Sequence, residues 1–142
     1  MAKIHLAAVV FSTGLKNEGG FMKYVDGFLL VVPAKNLAEY KKMAETGARV
    51  WKKYGALEYV ESVGDDLENN MGAARFTDTV KAGPDEIVVF SFIVFKSREH
   101  RDEVNARVMA DPEMSGPDAM NKPMPFEMKR MAYGGFRVIV EA

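Results

Sequence analysis

Residues 86–95, "EIVVFSFIVF", are apolar on both sides of what reads as an extended chain. Successive side chains of a strand point to opposite faces, so Val88, Phe90, Phe92 and Val94 share one face and Ile87, Val89, Ser91, Ile93 and Phe95 the other. A strand of this kind belongs to a sheet that is covered twice. The rest of the chain determines what can do the covering.

Downstream, "KSREHRDEVNARVMAD" (96–111) predicts a helix capped by Ser97, running to about Ala110 and stopped before Pro112. A Met- and Pro-rich stretch then leads to a last strand, "MAYGGFRVIV" (131–140). Upstream, a long connection from Gly64 to Asp85 follows the strand "ALEYVESV" (56–63), and connections of that length are often lids or binding loops. Earlier still, "YVDGFLLVV" (24–32) reads as a strand ended by Pro33. Asn36 and Glu39 have the spacing of a helix capping box. Leu37, Tyr40, Ala44, Gly47, Trp51 and Tyr54 then form one apolar stripe, and Gly55 closes the helix.

The order strand, helix, strand, strand, helix, strand predicts an α+β domain: a ferredoxin-like βαββαβ subunit with an antiparallel sheet and both helices on one face. Two helices cover only one side of residues 86–95. A second copy is therefore expected on the other side, with the two sheets about 10 Å apart in a dimeric α/β barrel.

Composition narrows the function classes. The chain has 142 residues, 48% hydrophobic and 27% charged, with a net charge of -1, the balance of a soluble globular protein. Lys and Arg are matched by nearby acids, so no basic stripe is available to displace counterions from nucleic acid. The absence of cysteine removes disulfides, thiolate metal sites and cysteine nucleophiles, and suits a cytoplasmic protein. No apolar run approaches the roughly 20 residues needed to span a bilayer. The start, "MAKIHLAAVVFSTGLKNEGG", lacks an A-x-A cleavage site after its short apolar run, so Ile4–Phe11 is expected to add an edge strand rather than to direct export.

The segments "YVDGFLLVVPAKN", "GALEYVE", "VVFSFIVFKSREHRDEVNARVMADP" and "MPFEMKRMAYGGF" resemble the bacterial family of unknown function typified by YbaA, placed among the dimeric α/β barrels. The likeness covers about residues 22–142, which implies a domain over that range and an N-terminal extension over residues 1–21. It implies a ferredoxin-like subunit and a homodimer, and no particular reaction. The wider superfamily includes cofactor-free quinol monooxygenases, haem-degrading enzymes, lactone isomerases and ligand-binding modules, so the likeness sets only a broad functional frame.

His100 is the one histidine outside the first few residues. It falls on the helical face shared with Val104 and Val108, near a helix N-terminus that disfavours positive charge, so it could act as a neutral base. Equally, it could fill the first turn and hydrogen-bond a carboxylate or carbonyl. Asp26, inside the first strand, needs a partner; Arg98, Arg101 or Arg130 would supply an ion pair, whereas a cavity shared with His100 would let the acid orient the base. Glu58 is a third catalytic candidate, although its alternation with Ala56, Val60 and Ser62 also fits a strand rim.

Arg98, Arg101 and Asn105 follow helical spacing on a second face and could hold an anionic or carbonyl-bearing ligand, or make exposed pairs with Glu99, Asp102 and Glu103. Tyr133 in the last strand joins them as a ligand contact. Its neighbours Gly134 and Gly135 predict a bulge or a close approach of another backbone, or could make room for a ligand. Met114, Met120, Met124, Met128 and Met131 could mould themselves over an apolar ligand or pack on their own core.

No phosphate-binding loop, dinucleotide fingerprint or nucleophile elbow occurs, and "DDLENN" has Met71 where a calcium loop needs glycine. With His5 and His100 alone, no zinc site and no cofactor are expected, haem on His100 being the one ligation left open. These features predict a homodimeric enzyme acting on a small, partly apolar metabolite, with its pocket between sheet and helices. The rival readings are a non-catalytic metabolite-binding module and a purely structural dimer.

Overall fold

The computed structural model describes residues 22–142. The extension over residues 1–21, with its expected edge strand at Ile4–Phe11, lies outside the described residues. Four strands, β1 (Tyr24–Pro33), β2 (Glu58–Val63), β3 (Glu86–Phe95) and β4 (Ala132–Arg137), form one sheet in the order β2-β3-β1-β4. Every neighbouring pair is antiparallel, consistent with the ferredoxin-like pattern. Two long helices, α1 (Leu37–Lys53) and α2 (Arg98–Ala110), connect β1 to β2 and β3 to β4.

Registers assign the faces. Opposite residues Leu30 and Val89, and Phe28 and Ser91, share a side, as do Val31 with Val88 and Leu29 with Phe90 on the other. The first side meets the helices through two clusters of buried side chains. Leu30, Val32, Tyr40, Ala44, Val89 and Phe126 form one, and Val50, Ala56, Ile93, Phe95, Val104 and Val108 the other. Burying a side chain of Leu, Val or Phe size stabilises by about 1.5–3 kcal/mol, so these clusters hold the helices to the sheet. Gly47 lies in the α1 stripe because a Cβ there would sit 2.6 Å from the Tyr59 hydroxyl.

Helix boundaries follow local chemistry. Ser97 caps α2 by accepting from the His100 amide at 3.1 Å, and the chain turns at Asp111 before Pro112. Gly55 follows α1 at φ 111°, the left-handed conformation that glycine adopts without strain. The expected Asn36 cap does not form. A tight turn over Ala34–Asn36 precedes α1, and Asn36 Nδ2 instead donates to the Pro125 carbonyl at 3.1 Å, drawn toward the last connection. That connection contains two single helical turns, Pro112–Ser115 and Pro117–Met120.

β4 is shorter than its sequence predicts, ending at Arg137, although Val138 still donates its amide to Lys23 O at 3.1 Å. The expected bulge at Gly134 and Gly135 is absent: they pair in unbroken register with Gly27 and Asp26. Side chains, not backbone, come close. A Cβ on Gly135 would lie 2.5 Å from the Tyr24 hydroxyl, so this glycine is the space into which Tyr24 fits.

Among the described residues, no helix covers the other side of the sheet. The connection between β2 and β3 folds over one end, where Leu67 and Phe76 border the same depression as Val88 and Phe90. Phe76 meets Phe90 edge-on at 6.4 Å. Val31, Val88 and Val94 are buried on this side, whereas Phe90 is 48% exposed and Phe136 61%. Among the described residues, no helix is long and apolar enough to cross a membrane.

Candidate functional site

Asp26 is 1% exposed, a carboxylate on the helix-covered face where β1 runs beneath α2. Burying a charge is tolerated only with partners, and α2 supplies them one turn apart. Arg101 Nη1 donates to Asp26 Oδ1 at 2.9 Å, and Asn105 Nδ2 donates to Oδ2 at 3.2 Å. The Asn105 carbonyl in turn accepts from Trp51 Nε1 of α1 at 2.9 Å, which fixes the orientation of its amide. Thus one carboxylate ties the centre of the sheet to both helices.

Arg101 is shared further. Its Nη1 also donates to the Tyr133 hydroxyl at 3.0 Å, and its guanidinium lies 4.8 Å from the centre of the Tyr24 ring. Its Nε comes within 2.8 Å of Asp102 Oδ1, but the N–H is not aimed at that oxygen, so the contact is an ion pair and the buried Nε has no hydrogen-bond partner. Burial opposes the Arg101 charge, yet Asp26, followed by Tyr133, Asp102 and Tyr24, raises its pKa above the ordinary arginine value. The Tyr133 phenol is pushed up by burial and by Asp26, and therefore stays protonated at neutral pH. Its oxygen accepts from Arg101, and the neighbouring Asp26 carboxylate is the acceptor for its proton.

Asp26, Arg101, Asn105 and Tyr133 are thus brought together. Of the arginines considered for Asp26, Arg101 makes the pair; Arg130 forms a two-pronged contact with Glu86 at 2.6 and 3.0 Å, and Arg98 is exposed. His100 and Asp26 form no mutual hydrogen bond. His100 Nδ1 accepts from the Lys96 amide at 3.0 Å, its ring meets Phe95 edge-on at 6.0 Å, and its Nε2 faces Gly55. Burial, then Lys96, lowers its pKa and favours the neutral ring, so Nε2 carries the proton. Glu58 lies exposed on edge strand β2, opposite Val94 and on the helix-free face, away from both.

A second polar group is not among the sequence candidates. Glu61, opposite Ser91 on the helix-covered side of β2, accepts from the Tyr40 hydroxyl at 2.7 Å and from the Tyr59 hydroxyl at 3.3 Å. Burial raises its pKa against the pull of those two hydrogen bonds. Burial, followed by Glu61, also raises both phenols. Period-two alternation contained the signal: Glu61 falls on the side of aromatic Tyr59, whereas Glu58 falls with Val60 and Ser62.

The expected pocket between sheet and helices is occupied by the two apolar clusters. An open trough of about 1050 Å³ lies instead on the helix-free face. Leu29, Phe90, Phe92 and Phe136 line it, the C-terminal Val138–Val140 segment forms one wall, and Tyr133 borders it at the β4 edge. The Gly27 position lets the Phe136 ring lie against the sheet, since a Cβ there would be 3.2 Å from that ring. The trough can receive an apolar body, while the Tyr133 hydroxyl points to the opposite, helix-covered side, toward Arg101. Among the described residues, no three His, Asp or Glu side chains converge as a metal-ligand set.

Comparison with known proteins finds a family and relatives that this chain resembles in sequence. The family described as "Protein of unknown function (DUF1428)" matches residues 23–128. "Uncharacterized protein YbaA" of Escherichia coli strain K12 is 42% identical over 120 residues, covering 84% of this chain and 99% of the relative. The protein of the same description from Shigella flexneri matches with the same identity and coverage.

Proposed function

The chain belongs to the DUF1428 family of proteins of unknown function, and on that premise we propose that it acts as a homodimer that takes up a small, largely apolar molecule. In this reading two helix-free faces meet about a two-fold axis, closing a barrel whose chamber is made from the paired troughs. The observation that carries it is the apolar trough across β3, β1 and β4, with Phe90 and Phe136 exposed on the same face. Soluble monomers rarely leave contiguous apolar patches of several hundred Å² in water. Four strands about 4.8 Å apart and six to ten residues long present roughly 500 Å² in plan, near the scale of the about 800 Å² per partner of a stable interface.

The ligand class follows from the lining. Leucine and phenylalanine side chains suit a hydrocarbon or aromatic body. Asp26, Arg101, Asn105 and the Tyr133 hydroxyl lie on the opposite side of the sheet, where they hold the helices to the strands that floor the trough.

His100, Asp26 and Glu58 have no common contact through which to share a proton-transfer step.

Sedimentation equilibrium at micromolar concentration tests the proposal, comparing the wild-type chain with Phe136→Lys. The expected result is a dimer for the wild type and a folded monomer for the variant, because a desolvated lysine within an apolar interface is costly. A wild-type monomer, folded and with its trough in water, would overturn the dimer and the closed chamber together.

A further inference from the structure

The connection between β2 and β3 forms a second depression, of about 420 Å³, within a single chain. Its apolar surface comes from Val63, Leu67, Phe76, Val88 and Phe90, and Asp65 and Asp66 stand in its wall. Phe76 is 47% exposed, and its edge-on contact with Phe90 leaves ring surface on both residues open to a guest. The volume falls at the lower end of ligand pockets, about 300–1000 Å³, which restricts the guest to a small molecule.

The charge is one-sided. Asp65 and Asp66 are exposed, and among the described residues neither has a hydrogen-bond or ion-pair partner. Arg75, the arginine of the same connection, is already engaged: its Nη1 lies 2.7 Å from Glu68 Oε2 and its Nε 3.0 Å from Asp78 Oδ2. An apolar hollow with two unneutralised carboxylates complements a guest that joins a positive charge to a compact apolar body. The carboxylates would attract the charge, while Leu67, Phe76 and Val88 would accept the body. Exposed aromatic rings add to the attraction for a cation.

We propose that this depression binds a small organic ammonium ion. The site uses residues of one chain and does not rest on the dimer; it shares only Phe90 with the trough.

Titration of the full chain with phenethylammonium and, separately, with neutral 2-phenylethanol, followed by amide chemical shifts, tests this. The expected result is saturable shifts at Gly64–Leu67 and Phe76, with the ammonium bound about tenfold more tightly than the alcohol at low salt. Asp65→Asn/Asp66→Asn should abolish that preference and leave alcohol binding and the melting temperature unchanged, since neither carboxylate supports the fold. Equal affinity for the two probes, a preference that survives the double substitution, or shifts confined to Leu29, Phe92 and Phe136 would each overturn the assignment. Sedimentation of the same samples separates this outcome from that of the dimer.

Discussion

The two faces of this sheet are made from the same strands, with alternate residues pointing each way, and they obey different physics. The helix-covered side combines apolar groups that pack, like Phe95 and Val89, with polar groups that pair, like Asp26 with Arg101 and Glu61 with Tyr40. On the helix-free side aromatic groups such as Phe90 and Phe136 stand about half in water. Paired buried charges need complementary groups at fixed positions, which one chain can supply only from its own helices. Apolar groups make no such demand, so the second face can accept another sheet or a guest.

That contrast can be broken most forcefully at Asp26. Asp26→Ala leaves Arg101 largely buried without its carboxylate and should cost about 3–5 kcal/mol of unfolding free energy, measured by urea denaturation. A loss below about 1 kcal/mol would mean that the network contributes little to the fold. Phe95→Ala, at a fully buried ring, should cost a similar 3–5 kcal/mol. Phe136→Ala on the other face should lower monomer stability by less than about 1 kcal/mol. Equal losses would show that the two faces are not distinct.

A smaller effect is expected at the adjacent glycines of β4. Gly135→Ala would bring a methyl against Tyr24 and push that ring off Arg101, costing about 1–3 kcal/mol. Gly134→Ala, whose nearest neighbour would be the Phe136 ring at 3.7 Å, should change stability by no more than about 0.5 kcal/mol. Thermal melts of the pair make the comparison directly.

The smallest expected effect is on pH dependence. Arg130, then the Gly83 amide, lowers the Glu86 pKa to about 2, and Tyr54, the Glu113 amide and Lys53 lower that of Asp111 to about 2. Their stabilisation is present above the ordinary carboxylate values of 4.5 and 3.8 and is lost as pH falls through about 2. Glu61 has the opposite sign. Its pKa is raised by burial, so its contribution is present below 4.5 and is lost as pH rises through the shifted value. Calorimetry across this range should show the melting temperature rising between pH 2 and about 4.5, a rise that Glu86→Gln reduces. Glu61→Gln should remove a decline on the alkaline side of that range.

Much of the architecture was legible because period and punctuation carry it. Two-sided apolarity marked β3, the α1 stripe marked the helix that packs on it, and Ser97 and Gly55 marked helix ends through chemistry local to a few residues. Asn36 misled because its amide is claimed by Pro125, 89 residues away, and no local pattern contains that competitor. The candidate site divided in the same way. Asp26 was conspicuous as a charge within an apolar strand, and an arginine partner was foreseeable, yet Arg98, Arg101 and Arg130 are equivalent until the helix phase is set against the sheet. Glu61 is legible by alternation, which sets it beside Tyr59 and on the face opposite Glu58, but only the buried Tyr40 hydroxyl makes it a site residue.

The sequence by itself determined the order of the strands and helices and the presence of more apolar surface than two helices can cover, since periodicity and composition are written residue by residue. Only the tertiary structure decided that Arg101 and Asn105 share Asp26, that Tyr24 occupies the space left by Gly135, and that the hollow lies on the helix-free face. Those outcomes depend on which side chains meet across dozens of intervening residues, and distance along the chain carries no measure of distance in space.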